Sequence, residues 1–350
     1  MGHRSGAPIR TRRSVSASHA ARAPTRAGAG RLDAALSVLN ALVGDHLRRR
    51  SNPLEIQFGL YQDGHPLPCS RDAIARAHPS ATGKLCVLVH GLAVNEGVWL
   101  FPGRRRRTYG SLLQRDAGYT PFQVRYNTGL HVSDNGEALA QVIDALLREY
   151  PSDIREIVLV GHSMGGLVVR SACEVARAGG SAWLGRVAHA FYLGAPHGGA
   201  PLERLGAVVA WSLRAIGVAH TTLIADVLDV RSAGIKDLRF AHLVAKDWQG
   251  RDAGALLDTA RTLVPLAPGI SHHFGVGGLG RHEGHVITRL LGDALVPVAS
   301  ASAPSGLLDD GARADVRFFP GIGHVALAHH PNVFAWIEAC CSGRTPREAP

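Results

Sequence analysis

A serine between two glycines is the first feature of this sequence that could do covalent chemistry. The segment Gly161-His162-Ser163-Met164-Gly165 follows the apolar run Ile157–Val160 and opens a helical pattern over Gly165–Val175. A sharp strand-to-helix turn holds such a serine in strained backbone geometry, so only small residues fit two positions before and after it. The N-terminus of the helix aims backbone N–H groups at the place where negative charge develops during attack. Ser163 is therefore the candidate nucleophile.

A serine hydroxyl is a poor nucleophile without a base, and the base needs a carboxylate that orients it. In strand–turn–helix sites of this type the chain order is serine, acid, histidine. His324 lies on the loop after the last predicted strand and is the candidate base. Asp293, in a Gly-Asp turn that leaves an apolar segment, is the candidate acid. The alternatives are that Asp293 is a simple turn aspartate or that the acid comes from the polar loop nearer the histidine, at Asp309, Asp310 or Asp315.

Attack on a carbonyl also requires two backbone donors for the oxygen that becomes anionic. The residue after the nucleophile supplies one of them, which makes the N–H of Met164 a candidate. The second is expected from the loop after the apolar strand Leu85–His90, where the N–H of Leu92 is the candidate. Gly91 allows the backbone of that loop to come close to the reacting atoms.

The remaining histidines are less informative, because the chain contains 19 of them. His282 and His285 have H-x-x-H spacing and lie near His272 and His273 in the sequence. No cysteine accompanies them and the serine site needs no metal, so solvated histidines are favoured over a metal site. His162, next to the serine, is expected to point away from the reacting atoms.

Taken together, these segments resemble the serine esterases and lipases of the α/β-hydrolase superfamily. The resemblance covers roughly residues 54–340, and the segment Gly194-Ala195-Pro196-His197-Gly198-Gly199 looks most like the branch that contains bacterial lipases and GPI inositol-deacylase-like proteins. The resemblance implies a Ser163–Asp293–His324 triad with Leu92 and Met164 as oxyanion donors, and no cofactor. It also implies a structural rather than catalytic position for His197. The usual Asp-Gly of the acid segment is Asp293-Ala294 here.

The elements that must position these residues can be predicted from hydrophobic periodicity. Strands are expected at residues 54–60, 85–90, 121–126, 157–160, 187–193, 273–276 and 316–319. Helices are expected from about Arg31 to Arg50, from Asp134 to Tyr150, over Gly165–Val175 and over Val333–Cys340. Strands that alternate with helices at this spacing predict the α/β class: a mostly parallel central sheet with helices on both faces.

Domain boundaries follow from the same pattern. Residues 1–30 are expected to be a disordered basic tail, residues 31–342 one catalytic α/β-hydrolase domain, and residues 343–350 a short C-terminal tail. The alternation of strands and helices lapses between about residues 200 and 268, where helix-like segments rich in Leu, Val, Ala and Trp are expected to form an inserted cap. In open parallel sheets, ligands bind at the carboxyl edge of the strands, which is where such a cap would lie.

The net charge of +10 at pH 7 is unevenly distributed along the chain. Six arginines and no acidic residues lie within the first thirty residues, so residues 31–350 carry only +4. A near-neutral body with a basic tail gives little support to nucleic-acid binding, and the runs Arg48–Arg50 and Arg104–Arg107 have no interleaved aromatic residues. Solvated arginines are favoured there, with a peripheral contact between Arg104–Arg107 and lipid headgroups as the alternative.

Cysteine usage and hydropathy bear on whether the protein contains disulfide bonds, a membrane-spanning segment or an export signal. Five scattered cysteines with no C-x-x-C pair predict free thiols rather than a disulfide framework. The longest apolar stretch, 205–219, is interrupted by Arg214 and is too short to span a bilayer. Arg12-Arg13 lacks the apolar run of an export signal after it, so a cytoplasmic location is expected.

These observations predict an ester hydrolase that works through an acyl-enzyme on lipid-like or other apolar acyl esters. A thioesterase, amidase or acyltransferase would use the same residues. A non-catalytic binding protein on a hydrolase fold is the alternative from a different class, and an intact triad argues against it.

Overall fold

The computed structural model describes residues 26–104, 106–201, 206, 210, 212, 232–250, 261–280, 293, 296, 298–301 and 313–344. The strands are β1 Gly59–Gln62, β2 His65–Leu67, β3 Lys84–Val89, β4 Thr120–Arg125, β5 Glu156–His162, β6 Val187–Leu193, β7 Ser271–Gly278 and β8 Arg313–Pro320. The helices are α1 Arg26–Arg49, α2 Arg71–Ala77, α3 Tyr109–Ala117, α4 Val132–Glu149, α5 Met164–Gly179, α6 Ala233–Phe240, α7 Val298–Ala301 and α8 Pro331–Cys341. Short 3₁₀ turns lie at Glu96–Trp99, Leu184–Arg186, Ala245–Asp247 and Val325–Ala328.

These strands form one sheet in the order β2-β1-β4-β3-β5-β6-β7-β8. The six strands from β4 to β8 are parallel to one another. The hairpin β1–β2 adds to the β4 edge in the antiparallel direction. The predicted α/β class with a mostly parallel sheet is confirmed.

The central strands are buried on both faces, which explains why they read as continuous apolar runs rather than alternating ones. In β3, Leu85, Val87 and Val89 pack into the core that also contains residues of α1, α4 and α5. Cys86 and Leu88 point to the other face and pack with residues of α3 and α8. Helices therefore cover both faces of the sheet, as predicted.

The first predicted strand is misplaced. Leu54–Leu60 alternates like a strand, but the sheet contains only its last two residues, and β1 begins at Gly59. Leu54 and Ile56 instead contact α1, where the Asn40 side chain donates to Leu54 O and accepts from Ile56 N, both at 2.9 Å. Ile56 is buried although it has no cross-strand partner in β1, so alternation alone was a misleading signal here.

The N-terminal boundary also differs from the expectation. Helix α1 begins at Arg26 rather than near Arg31, so the last five residues of the predicted tail are helical. No proline follows Pro24 until Pro53, so the backbone N–H groups of this stretch are all present, and Gly28 and Gly30 weaken a helix without excluding it. Residues 1–25 of that tail and 345–350 of the C-terminal tail lie outside the described residues.

Of the predicted cap over residues 200–268, the structure describes only part. Helix α6 and the 3₁₀ turn Ala245–Asp247 belong to it. Most of the remainder, including the apolar segment 213–231 and residues 251–260, lies outside the described residues. Among the described residues, no helix is long and apolar enough to cross a membrane.

Candidate active site

The turn between β5 and α5 carries Ser163 in a conformation that side chains rarely adopt. Its φ of 54° and ψ of −123° lie outside the regions that non-glycine residues populate freely. A Cβ on Gly161 would lie 2.5 Å from Gly165 O, and a Cβ on Gly165 would lie 2.1 Å from Val89 O. Both glycines are therefore required by close backbone contacts, as the sequence predicted for a nucleophile turn.

His324 and Asp293 are joined by two hydrogen bonds. The Nδ1 atom of His324 donates to Asp293 Oδ2 at 2.8 Å, and the backbone N of His324 donates to Asp293 O at 2.9 Å. Asp293 Oδ1 accepts from Val296 N at 2.8 Å, which closes the turn that holds the carboxylate. Asp293 and His324 are both buried. With Nδ1 donating to a carboxylate, Nε2 keeps its lone pair, and this atom has no hydrogen-bond partner among the described residues.

The base loop and the nucleophile turn are linked through His162. Its Nε2 donates to His324 O at 3.0 Å, and the two imidazole rings lie 4.9 Å apart between centroids. Burial, with the nearby His324 as a smaller contribution, holds the pKa of His162 well below its ordinary value. A neutral His162 therefore supports the backbone beside His324. Sequence reasoning expected this side chain to point away from the reacting atoms and gave no sign of this bond.

The loop after β3 lies directly against the serine. A Cβ on Gly91 would come within 2.9 Å of Ser163 Cβ, which explains the need for glycine there. Leu92 follows Gly91 on this loop, and Met164 is the first residue of α5. The side chains of Leu92 and Met164 are buried. The two predicted oxyanion donors thus belong to segments that flank Ser163.

Two further elements complete the surroundings of the site. Gly194 has a φ of 62°, and a Cβ there would lie 3.1 Å from both Asp293 Oδ2 and His324 Nδ1. The buried Tyr109 on α3 donates to Leu327 O at 2.8 Å and accepts from His330 N at 2.8 Å, which fixes the loop that follows His324. Neither contact could be read from the sequence, because each joins segments more than 90 residues apart.

Asp315, the rival acid that the structure describes, does not contact the base. Asp315 lies on β8 with half of its side chain exposed, and it accepts a hydrogen bond from His273 Nδ1. Asp309 and Asp310 lie outside the described residues. Of the acidic candidates that the structure describes, Asp293 is therefore the one in contact with His324.

The expectation of solvated histidines is wrong for the two that the structure describes. His272 and His273 are buried, because β7 is flanked by strands on both sides and the two side chains point to opposite faces. His272 Nε2 donates to Ala267 O at 2.9 Å and Nδ1 accepts from the hydroxyl of Tyr192 at 2.9 Å. His282 and His285 lie outside the described residues. No group of three His, Cys, Asp or Glu side chains among the described residues could hold a metal ion.

His197 has structural neighbours. It is buried, its backbone carbonyl accepts from Arg261 at 2.8 Å, and its ring Nδ1 lies 3.4 Å from the buried guanidinium of Arg170. Burial, followed by the charge of Arg170, holds the pKa of His197 well below its ordinary value.

All five cysteines are free thiols.

Comparisons with known proteins give a family match to part of the chain and matches to solved structures of low sequence identity. Residues 123–249 match the family described as the PGAP1-like alpha/beta domain. No curated protein matches the chain. Solved structures that match it include the mature Bacillus licheniformis lipase BlEst2, with 18% identity over 81% of this chain and 96% of that one and a TM-score of 0.45.

Two other matched structures have similarly low sequence identity to this chain. A hormone-sensitive lipase from a metagenome library has 14% identity over 76% of this chain and 80% of its own, with a TM-score of 0.44. A hyperthermophilic esterase from the archaeon Pyrobaculum calidifontis has 14% identity over 75% of each chain, with a TM-score of 0.42. The strand order of the parallel sheet and the serine turn between β5 and α5 are observed directly in this chain and do not depend on these comparisons. Residues 123–249 are thus similar to the PGAP1-like alpha/beta domain, and the mostly parallel sheet with helices on both faces is consistent with an α/β-hydrolase fold.

Proposed function

We propose that this protein hydrolyses carboxylic esters through an acyl-enzyme formed on Ser163. The observation that carries the proposal is the buried His324, whose Nδ1 donates to Asp293 while its Nε2 has no partner among the described residues. An imidazole held in this tautomer can accept a proton at Nε2. The strained turn of Ser163 and the adjacent loop with Leu92 support the same proposal.

In the proposed mechanism, Ser163 Oγ attacks the ester carbonyl carbon and its proton passes to His324 Nε2. The carbonyl oxygen becomes anionic and accepts hydrogen bonds from the N–H groups of Leu92 and Met164. Collapse of the tetrahedral intermediate breaks the bond to the alcohol oxygen, which takes the proton from Nε2. Water then attacks the acyl-enzyme by the same steps and releases the acid. Asp293 orients the imidazole and stabilises the imidazolium that forms.

Replacing the serine tests this proposal. Ser163→Ala should abolish turnover of p-nitrophenyl esters and labelling by a fluorophosphonate, because no nucleophilic oxygen remains. Asp293→Asn should lower kcat by about 10⁴-fold, because the amide stabilises the wrong tautomer of the imidazole. Ser181→Ala removes a serine at the far end of α5 and should leave turnover unchanged. Full activity in Ser163→Ala would refute the proposed nucleophile.

We further propose that the substrate is presented at an anionic lipid surface by the loop 100–107. This loop follows the 3₁₀ turn Glu96–Trp99, and Trp99 contacts the ring of His162 with 6.3 Å between centroids, so the residue before the loop lies next to the nucleophile turn. Leu100, Arg104 and Arg106 are exposed. Exposed arginines beside an exposed apolar side chain match the chemistry of an anionic membrane surface.

Vesicle sedimentation tests the proposed lipid contact. Replacing both arginines, in Arg104→Gln/Arg106→Gln, should weaken binding to phosphatidylserine-containing vesicles about tenfold, and high salt should weaken binding of the parent chain. A matched control is Arg155→Gln/Arg186→Gln, since these exposed arginines precede β5 and β6 and therefore lie at the opposite edge of the sheet. Equal losses in both double variants would show that net charge alone is responsible.

A further inference from the structure

The segment that follows β4 lies beside the loop that carries Leu92. Tyr126 and Thr128 come directly after Arg125, the last residue of β4, and both are almost completely buried, each with 1% of its surface exposed. β4 is the neighbour of β3 in the parallel sheet. The segments that leave the carboxyl ends of these two strands are therefore adjacent, although they are more than 30 residues apart in the sequence.

Two side-chain hydrogen bonds join these segments, one on each side of Gly91 and Leu92. The hydroxyl of Tyr126 donates to His90 O at 2.7 Å. The backbone N of Ala93 donates to Thr128 Oγ1 at 3.3 Å. The ring of Tyr126 also stacks on the imidazole of His90, with 4.4 Å between centroids and 19° between planes.

The loop between these two bonds needs external support. Ala93 has a φ of 59°, a conformation that costs free energy for a residue with a side chain. No strand pairing extends past Val89, so the ladder of β3 does not hold the loop. His90 stays neutral, because burial lowers its pKa to about 3, and its Nδ1 donates to Gly91 O at 2.9 Å. The loop is thus held locally by His90 and from outside by Tyr126 and Thr128.

We propose that Tyr126 and Thr128 are positioning residues for ester hydrolysis, which fix the backbone N–H of Leu92 where it can bind the developing oxyanion. This inference rests on the proposed function of Ser163. Neither side chain is required to touch substrate: each acts through the backbone of the residues that flank Gly91 and Leu92. A donor displaced by a fraction of an ångström loses much of its effect on the transition state while substrate binding changes little.

A matched pair of tyrosines separates positioning from packing. Tyr150 is also buried, and its hydroxyl donates to Thr82 O at 2.8 Å, but Thr82 lies before the amino end of β3 rather than after its carboxyl end. Tyr126→Phe and Tyr150→Phe each remove one hydroxyl that donates to a backbone carbonyl. We expect Tyr126→Phe to lower kcat about tenfold with KM unchanged, and Tyr150→Phe to leave kcat unchanged.

Thr128 allows a second test with a conservative rescue. Thr128→Val keeps the volume but removes the oxygen that accepts from Ala93 N, whereas Thr128→Ser keeps that oxygen. We expect a lower kcat in Thr128→Val and a kcat close to that of the parent chain in Thr128→Ser. The affinity for an alkyl boronic acid, which forms a tetrahedral adduct with the serine, should fall in parallel with kcat across the variants.

The outcomes distinguish this inference from the proposed function. If the parent chain turns over esters, Ser163→Ala does not, and Tyr126→Phe and Thr128→Val keep full kcat and boronic acid affinity, the positioning role is wrong while the nucleophile stands. If Tyr150→Phe loses as much kcat as Tyr126→Phe, the effect is general destabilisation and the positioning role is again wrong. If Ser163→Ala keeps full activity, the proposed function itself fails.

Discussion

At the scale of single residues, the candidate base is fixed by its backbone as well as by its side chain. His324 N and Nδ1 both donate to Asp293, and His324 O accepts from His162. Two of these three bonds survive replacement of the imidazole. Variants that remove the side chain of His324 should therefore keep the loop in place, so a loss of activity in them would reflect chemistry rather than unfolding.

Buried neutral histidines predict how stability depends on pH. Burial lowers the pKa of His272 to about 4, against about 6.5 for an unfolded chain. Between these values the unfolded state binds more protons than the folded state, so the free energy of unfolding falls as the pH falls from about 6.5 towards 4. The loss from this one group is roughly 3 kcal/mol, from the pKa difference.

Urea titrations of the parent chain and of His272→Gln, at pH 8 and at pH 5, measure this contribution. The difference between the two proteins at pH 8 gives the cost of the lost hydrogen bonds alone, because His272 is neutral in both states there. At pH 5 the variant should have lost less stability than the parent. An identical pH dependence in both proteins would contradict the buried, neutral state of His272.

The catalytic candidates could be predicted from the sequence because their surroundings are local. Gly161 and Gly165 flank Ser163 within five residues, and a Gly-Asp turn and a loop after a strand are both recognisable in isolation. Tyr126, Thr128 and His162 were missed for the opposite reason. Each acts through a hydrogen bond with the backbone of a segment distant in sequence, and backbone donors and acceptors leave no trace in residue types.

At the scale of elements, helix α6 is attached to the body of the protein through the start of α4. Asp237 of α6 accepts from Val132 N at 2.8 Å and from His131 Nδ1 at 3.0 Å, so a carboxylate from one helix caps the N-terminus of another. Gly234 packs so closely that a Cβ there would lie 2.1 Å from Thr128 O. The described helix of the predicted cap thus contacts the same segment that supports the loop of Leu92.

Removing this carboxylate should weaken the attachment. Asp237→Ala leaves the buried N–H of Val132 and the ring of His131 without their acceptor, and we expect the free energy of unfolding to fall by about 2 kcal/mol. Urea unfolding followed by circular dichroism measures the change. Asp116→Ala is the control, because Asp116 is exposed and pairs with its neighbour Arg115, and it should not change the midpoint. Equal midpoints for the two variants would show that Asp237 is not an anchor.

At the scale of the whole molecule, the parallel sheet brings together residues that are widely separated along the chain. Ser163 follows β5, Gly194 follows β6, Asp293 follows β7 and His324 follows β8. The carboxyl ends of parallel strands meet at one edge, so the strand pattern predicted the fold class and the motifs predicted which residues would share that edge. The first strand was misplaced because alternation does not require strand pairing: Leu54 is half exposed, and Ile56 is buried while its backbone is bonded to Asn40 of α1.

The backbone of Ser163 has a further consequence for the stability of the protein. A serine at φ 54° and ψ −123° costs folding free energy of order 1–3 kcal/mol, and glycine would adopt the same angles without that cost. Ser163→Gly would relieve this backbone strain, and the greater freedom of glycine in the unfolded chain would offset part of the gain. A serine kept at these angles carries a folding cost that the proposed nucleophilic role of Ser163 would account for.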